Sequence, residues 1–556
     1  MGPRAHPVLL LLLCGLFFFY GLGTLGLTDR DEGSNAEAAR EMLQSGDWVS
    51  PTLNGAPRFA KPVFIYWLIS GTYRLLGVSE FTARLPSAVF GTGLILMQYY
   101  FARRVLGPVT ALRAAIMLLL NFEILAIGRM VLTDMVLIFF TTLSIFSFFL
   151  GLYGQGTQKR WYWMFYIAMA LATLTKGPVG IMVPLLAVGP YLIMSRPWRS
   201  GNQVWKDSHP VAGAVIFLAL AAPWYTAMLT IHGAGYLASA QGDTVTRFFS
   251  VLEGHGGTIL FYIPILFFGF FPWSGYLPAA LFASLRSTRR EPLSDSQAIG
   301  LLCAVWTLGV FLFFTVSSTR LPHYIAPLFP AAALLVSLWW DRLQADRGWM
   351  GKLSLILTLV LGVCLGLAFI GLDWAYDHFL TEIVREFPTA NQIEPGWAPM
   401  AIGFLILAGI GVFGYAVMEE SPALSFTVAS LVMAVVVGLT IIVALPRFNR
   451  YFIAPAQELA TIAGFNLESS DTLIAYGRPK PSLLFYARRD CSGGKPCIEV
   501  IKPGEEEKMR PMLRRSGQVM IVTQERLRSR LPAEASGYHL ALVLEGYILL
   551  AKKPTF

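Results

Sequence analysis

Thirteen separate stretches of this chain are apolar over roughly the length of helix that crosses a bilayer, and this constrains the fold more than any motif does. A helix rises about 1.5 Å per residue and the hydrocarbon core is about 30 Å thick, so about 20 apolar residues make one crossing. The stretches are 7–27, 85–102, 112–128, 132–152, 161–175, 178–194, 211–231, 258–285, 298–316, 324–340, 353–372, 397–418 and 423–445. The first follows Arg4 and His6 and lacks a small-x-small cleavage site, so it reads as an uncleaved anchor and not a signal peptide. Segment 62–78 is shorter and rich in aromatics, which places it at the membrane interface or half-inserted. Only 14% of the 556 residues are charged, against about 25% in soluble domains, so lipid is the solvent for most of the chain.

The net charge of +9 does not indicate nucleic acid, because no basic run interleaved with aromatics occurs. The positive residues sit in short turns between apolar stretches, as in cytoplasmic loops beside anionic lipid. With the N-terminus cytoplasmic, those turns hold Arg103 and Arg104; Lys159 and Arg160; Arg196, Arg199 and Lys206; Arg286, Arg289 and Arg290; and Arg342, Arg347 and Lys352. Only the Glu419-Glu420 turn departs from the pattern. Thirteen crossings then put the C-terminus on the outer face.

The tail, 446–556, changes character. Strand-like runs at Thr472–Tyr476, Ser482–Tyr486, Val519–Val522 and Leu540–Leu550 alternate with helix-like stretches at 455–464 and 505–515. The expected architecture is a polytopic α-helical membrane domain, 1–445, followed by a small α/β domain, 446–556, outside the cytoplasm. Cys14, Cys303 and Cys364 lie in apolar segments and read as small core residues. Cys491 and Cys497 flank a Ser-Gly-Gly-Lys-Pro turn, a small disulfide loop if the tail meets an oxidising compartment.

Function is to be sought in the polar loops on the outer side, chiefly 28–61 and 232–257. The loop after the first span contains Asp31-Glu32, and acids beside hydrocarbon are costly unless they meet a cation, a metal or a substrate. The structural alternative is helix capping, with Ser34 and Glu37 in capping-box spacing. Lys61, in Arg58-Phe59-Ala60-Lys61-Pro62, either snorkels to headgroups or holds a lipid phosphate. Asp134, at the outer end of its span, faces either Arg129 or the same cavity as Asp31. Loop 232–257 brings Arg247 and His255, although a lone loop histidine is more often a solvated surface residue. Arg320-Leu321-Pro322-His323-Tyr324 lies at another outer turn. No ATP-binding loop, zinc motif or serine-hydrolase elbow occurs.

Taken in order, these residues resemble glycosyltransferase family 39 and its aminoarabinose-transferase relatives, membrane enzymes of the GT-C class. The resemblance is carried by Asp31-Glu32 with the following Ala-Glu-Ala-Ala-Arg-Glu-Met-Leu, Gly46-Asp47-Trp48 and Lys61-Pro62 with Tyr66-Trp67. Leu132-Thr133-Asp134, Thr175-Lys176-Gly177-Pro178, Arg247-Phe248, Tyr262-x-Pro264, Pro272-Trp273 and Leu321-Pro322-x-Tyr324 continue it, over about residues 8–345 and more loosely beyond. The family pattern usually has Glu where this chain has Ala60, Arg-Tyr where it has Ser34-Asn35, and a histidine within what is here 240–246.

The resemblance implies transfer of a monosaccharide from a polyprenyl (undecaprenyl) phosphate to an envelope acceptor such as lipid A. It makes Asp31, with its neighbour Glu32, and Asp134 the candidate catalytic acids. Lys61, Arg247, Tyr324 and Arg320 become candidates for the donor phosphate, and Arg58, Tyr66 and His255 for further substrate contacts. No cofactor is assigned, a divalent cation being one candidate. The expected location is the cell (inner) membrane, multi-pass, with the site and the tail on the periplasmic side and no nucleic-acid partner. The competing expectations are transfer to protein hydroxyls or another glycan, or a lipid-linked sugar flippase. A transporter should show charges near the bilayer midplane and paired helix breaks, whereas here the charges cluster at one face.

Overall fold

A computed structural model describes residues 2–153, 159–197, 203–242, 246–250, 257–287, 293–346, 348–386, 390, 393, 396–477, 480–491 and 496–554. Arg199, Arg289, Arg290 and Arg347 of the basic turns, and His255, lie outside the described residues, as does the side chain of Arg247.

Twelve of the thirteen apolar stretches are helical or form bent helix pairs, while the first, 7–27, is helical only as far as Phe19. Among the described residues seven helices are each long and apolar enough to cross a bilayer, or up to nine if each bent pair is one span. The pairs are Pro108–Leu119 with Phe122–Gly128, bent by 65°, and Tyr262–Gly269 with Trp273–Arg286, bent by 113°. The apolar pattern cannot show these breaks, because the hydropathy is continuous across them. Helix Pro210–Gln241 runs on past the expected span end at 231, through a non-helical residue, Gly233 (φ 54°, ψ −129°). The expected domain boundary at 445/446 falls inside one apolar helical run, Pro422–Phe465.

The loop 28–61 is largely a helix, Asp31–Ser45, followed by a two-stranded hairpin of β1 (Thr52–Leu53) and β2 (Ala56–Pro57). Asn54-Gly55 makes the turn with φ of 56° and 73°, the left-handed pair that a two-residue hairpin needs. The helix begins at Asp31, three residues before the expected cap. Ser34 therefore lies inside it, and Glu37 instead takes two hydrogen bonds from Arg40, at 2.7 and 2.6 Å. Segment 62–78 forms helix Phe64–Leu76, whose buried face (Ile65, Tyr66, Ile69, Tyr73) packs on the Asp31 helix.

The tail sheet contains β3 (Thr472–Tyr476), β4 (Glu499–Ile501), β5 (Val519–Gln524), β6 (His539–Leu544) and β7 (Tyr547–Ala551), in the order β4-β3-β5-β7-β6. The first three strands are parallel, and β7 is antiparallel to both β5 and β6. Alternate residues feed two cores. Leu473, Met520, Val522 and Leu549 pack on helix Ala454–Phe465, while Ile474, Val519, Ile521 and Leu550 pack on Met509 and Leu513. Ser482–Tyr486, expected as a strand, is a helix (Ser482–Ala487) entered from Pro481. That turn lets the backbone N–H and the hydroxyl of Ser482 both reach Asp29, at 3.2 and 2.5 Å. The helix expected at 505–515 is split by Pro511 into two short turns, Glu506–Met509 and Arg510–Leu513. Cys491 and Cys497 are joined in a disulfide.

The tail docks on the 28–61 loop through specific polar contacts. Tyr486 Oη accepts from Leu27 N–H at 2.9 Å, Arg40 donates to the Arg489 carbonyl at 2.9 Å, and Asn54 donates to the Ile498 carbonyl at 2.8 Å. A Cβ on Gly33 would stand 2.6 Å from the Ser482 nitrogen, so only glycine allows the two helices to approach this closely.

Candidate active site

A cavity of about 1370 Å³ lies between the bent helix pairs, the 28–61 loop and the tail sheet. Asp31, Arg58, Lys61 and His323 share its lining with the apolar Phe122, Met130 and Ile265.

Asp31 owes its position to its neighbour. Glu32 is 1% exposed and accepts from Arg84 Nε at 2.7 Å and Nη2 at 3.0 Å, from Thr28 N–H and hydroxyl at 2.8 and 2.9 Å, and from Val131 N–H at 3.0 Å. Burial alone would raise the Glu32 carboxyl. The Arg84 charge and these hydrogen bonds outweigh it and hold the group below its usual value. Glu32, which also lines the cavity, has every lone pair engaged by protein donors. It pins the start of the helix so that Asp31, half-buried, opens into the cavity.

Lys61 and Arg58 arrive from the end of the same loop. Arg58 donates to Tyr66 Oη at 3.0 Å and to Asn35 Oδ1 at 3.4 Å, while Asn35 donates to the Val131 carbonyl at 2.9 Å. Tyr66 is fully buried behind Arg58, so it orients that arginine and does not line the cavity.

Asp134 does not face Arg129. The Arg129 guanidinium donates to the carbonyls of Phe17, Phe18 and Tyr20, and Asp134 instead accepts from Lys176 Nζ at 2.6 Å. Lys176 also stands 5.0 Å from the Tyr324 ring centroid. His323 feels the charges of Asp134, Lys176, Asp31 and Lys61, so these groups form one electrostatic neighbourhood. Arg320 turns away from it to the backbone carbonyls of Gly257 and Thr315. The backbone at 248–250 is held beside this turn, since Phe248 O accepts from Ser318 N–H and Ser250 O from Thr319 Oγ1, each at 2.9 Å.

Lys176, His323 and Glu123 were not singled out as site residues from sequence. Lys176 ends an apolar span, where lysine ordinarily reads as a snorkelling residue. Glu123 lines the cavity with both carboxylate oxygens buried and without a partner among the described residues. Glu37, Glu41 and Cys491 come close enough together to suggest a metal site. Their atoms are committed elsewhere: Glu37 to Arg40, Glu41 to Thr52, Asn54 and Gly55, and Cys491 to its disulfide.

The helical bundle, the broken spans and the lid-like tail over an acid-and-lysine cavity define a membrane protein of the GT-C fold. The model for dolichyl-phosphate-mannose-protein mannosyltransferases matches residues 30–237. A crystal structure of ArnT from Cupriavidus metallidurans bound to undecaprenyl phosphate superposes with a TM-score of 0.79 at 24% identity, covering 98% of each chain. The apo form gives 0.75 at 25% identity, with 98% and 97% covered. An undecaprenyl phosphate-α-4-amino-4-deoxy-L-arabinose arabinosyl transferase of Edwardsiella ictaluri is 29% identical over 351 residues, 63% of this chain and 62% of that protein. An uncharacterised Aquifex aeolicus protein is 31% identical over 337 residues, 60% of this chain, which spans 62% of it. The chain shares the fold of these ArnT structures and is similar in sequence to the aminoarabinose transferases over about three fifths of its length.

Proposed function

We propose that this protein transfers a monosaccharide from a polyprenyl phosphate carrier to an acceptor in the cell envelope, at the face of the membrane that carries the tail domain. The observation that carries this reading is that Asp31 and Lys61 line one cavity with His323, beside the Asp134–Lys176 pair. The names of the relatives, which specify undecaprenyl phosphate-linked aminoarabinose, support the donor class. The Lys/Arg bias of the turns and the Cys491–Cys497 disulfide support a periplasmic position for the site, since disulfides persist in oxidising compartments.

In the reaction an acceptor oxygen forms a bond to the anomeric carbon as the bond from that carbon to the phosphate oxygen breaks. The electron pair leaves with the phosphate, which moves from monoanion towards dianion. Lys61, together with Arg247 and a hydrogen bond from Tyr324, stabilises that added charge more in the transition state than in the ground state. Phosphate is a good leaving group, so no strong general acid is required. Asp31 takes the acceptor's proton or orients its oxygen, a role worth about 10²–10⁴ in rate. Asp134 keeps Lys176 in place beside Tyr324. One direct displacement inverts the anomeric centre.

The family model that matches residues 30–237 is named for protein mannosyltransferases, so a protein hydroxyl is the second acceptor reading. The test incubates membranes containing the protein with radiolabelled polyprenyl-phosphate sugars and follows label into lipid, glycan and protein fractions. Asp31→Asn should insert and fold normally yet lose transfer, and near-normal transfer in that variant would overturn the assignment.

A further inference from the structure

The carboxyl edge of the tail sheet forms part of the cavity wall. Its strands β4, β3 and β5 are parallel, with β3 in the middle. The chain leaves β3 towards β4 on one side, then crosses back to β5 on the other. Where successive connections depart in opposite directions, a crevice opens at the carboxyl ends of the strands. Here it falls between β3 and β5. The residues on its rim, Tyr476 at the end of β3 with Gly477 after it, and Thr523 and Gln524 at the end of β5, form a wall of the same cavity that Asp31 and Lys61 line.

Three side chains give that wall its chemistry. Lys480 projects from the connection after β3, with its Nζ 4.9 Å from the Tyr547 ring centroid and 3.0 Å from the Tyr547 hydroxyl. Lys502 follows β4 directly and is exposed on the same wall. The Thr523 hydroxyl is buried, at 2% exposure for the residue, and has no partner among the described residues. One carboxylate competes for Lys480: Asp29 lies 3.8 Å away, but it already accepts two hydrogen bonds from Ser482. Glu505 neighbours Lys502, and Glu506 accepts the Tyr476 hydroxyl at 2.5 Å. Two ammonium groups and an unused hydroxyl match a multiply charged oxyanion.

We propose that the carboxyl edge of this sheet is the subsite that holds a phosphate group of the acceptor, with Lys480, Lys502 and Thr523 as its binding residues. The donor phosphate then occupies the Lys61 side and the acceptor enters against the tail. The word acceptor rests on the transferase reading above, whereas the anion site itself stands without it.

The binding test uses the full-length protein in neutral phosphatidylcholine nanodiscs, titrated calorimetrically with inorganic pyrophosphate. The Lys480→Gln/Lys502→Gln double variant should weaken binding by about tenfold or more, and Thr523→Val should weaken it less. Lys480→Arg, which keeps the charge, should restore most of the affinity and report intact folding, and Asp31→Asn should bind normally. Unchanged affinity in the double variant would overturn the proposal. So would a loss confined to Lys61→Gln, which would put the anion on the donor side. In a transfer assay Lys480→Gln should raise the acceptor KM with little change in kcat or donor KM. An enzyme that binds pyrophosphate through Lys480 but transfers no sugar would sink the transferase reading and leave the anion site standing.

Discussion

The Glu32 carboxylate is gripped by the Arg84 guanidinium through two hydrogen bonds, at 2.7 and 3.0 Å, with neither side chain more than 2% exposed. Arg84 also donates to the carbonyls of Leu22, Leu25 and Gly26, so one arginine ties the end of the first span to the helix that presents Asp31. Removing one partner of a buried pair costs about 3–5 kcal/mol, because the other charge is left uncompensated. Glu32→Ala and Arg84→Ala should therefore each lower the thermal midpoint strongly, as seen by differential scanning fluorimetry, and should reduce transfer through loss of Asp31 placement.

The same pair predicts an acid limit. The Glu32 carboxyl titrates lower in the folded protein than in the unfolded chain. Its stabilisation is complete above the unfolded value, about 4.3, and is lost as pH falls below that towards the lower folded value. Between pH 6 and 3 the wild type should lose more stability than a Glu32→Gln variant, which has already forfeited this contribution. Parallel pH profiles would count against the pair as the cause.

Asp134 and Lys176, 2.6 Å apart, form a second buried pair, whose charges act on His323 of the cavity lining. A double-mutant cycle with Asp134→Asn and Lys176→Met should give a coupling energy of about 0.5–3 kcal/mol, the double variant being less destabilised than the singles sum to. Transfer should fall in all three. Additive stabilities would mean that the two side chains do not act as a unit.

Asn54 joins the hairpin to the tail: its Oδ1 accepts from Cys497 N–H at 2.9 Å and Ile498 N–H at 3.1 Å, and its Nδ2 donates to the Ile498 carbonyl. Asn54→Ala should leave the membrane helices intact while loosening the docking, at about 1–3 kcal/mol for the unsatisfied backbone groups. Faster hydrogen exchange across 496–501, with unchanged protection in the spans, is the expected reading.

Among the described residues, Glu123 keeps both carboxylate oxygens without a partner in the cavity wall. Replacing an unsatisfied buried polar group with an apolar one of similar size is neutral or stabilising. Glu123→Leu should accordingly raise or preserve the thermal midpoint. A fall of several degrees would show that Glu123 has a structural partner.

Much of this was legible in the residues themselves. The apolar stretches mark the helices because bilayer thickness sets their length. Cys491 and Cys497 close a loop that their spacing suggested. The runs at Thr472–Tyr476 and Val519–Val522 are strands, and Asp31 and Lys61 are placed by loop position alone. These are local properties, read from a few neighbouring residues.

What only the tertiary structure decided are choices among distant partners. Lys176 lies 42 positions from Asp134 and still displaces the nearby Arg129, whose guanidinium is consumed by the carbonyls where the first span ends. Glu32 is held at the helix start because Arg84, 52 positions away, reaches it. Ser482–Ala487 forms a helix because its docking on Asp29 outweighs its strand-like composition. Periodicity reports which face of an element is apolar. It does not report which charge meets which across a fold, because a buried charge is settled by whichever partner the packing brings within hydrogen-bond reach.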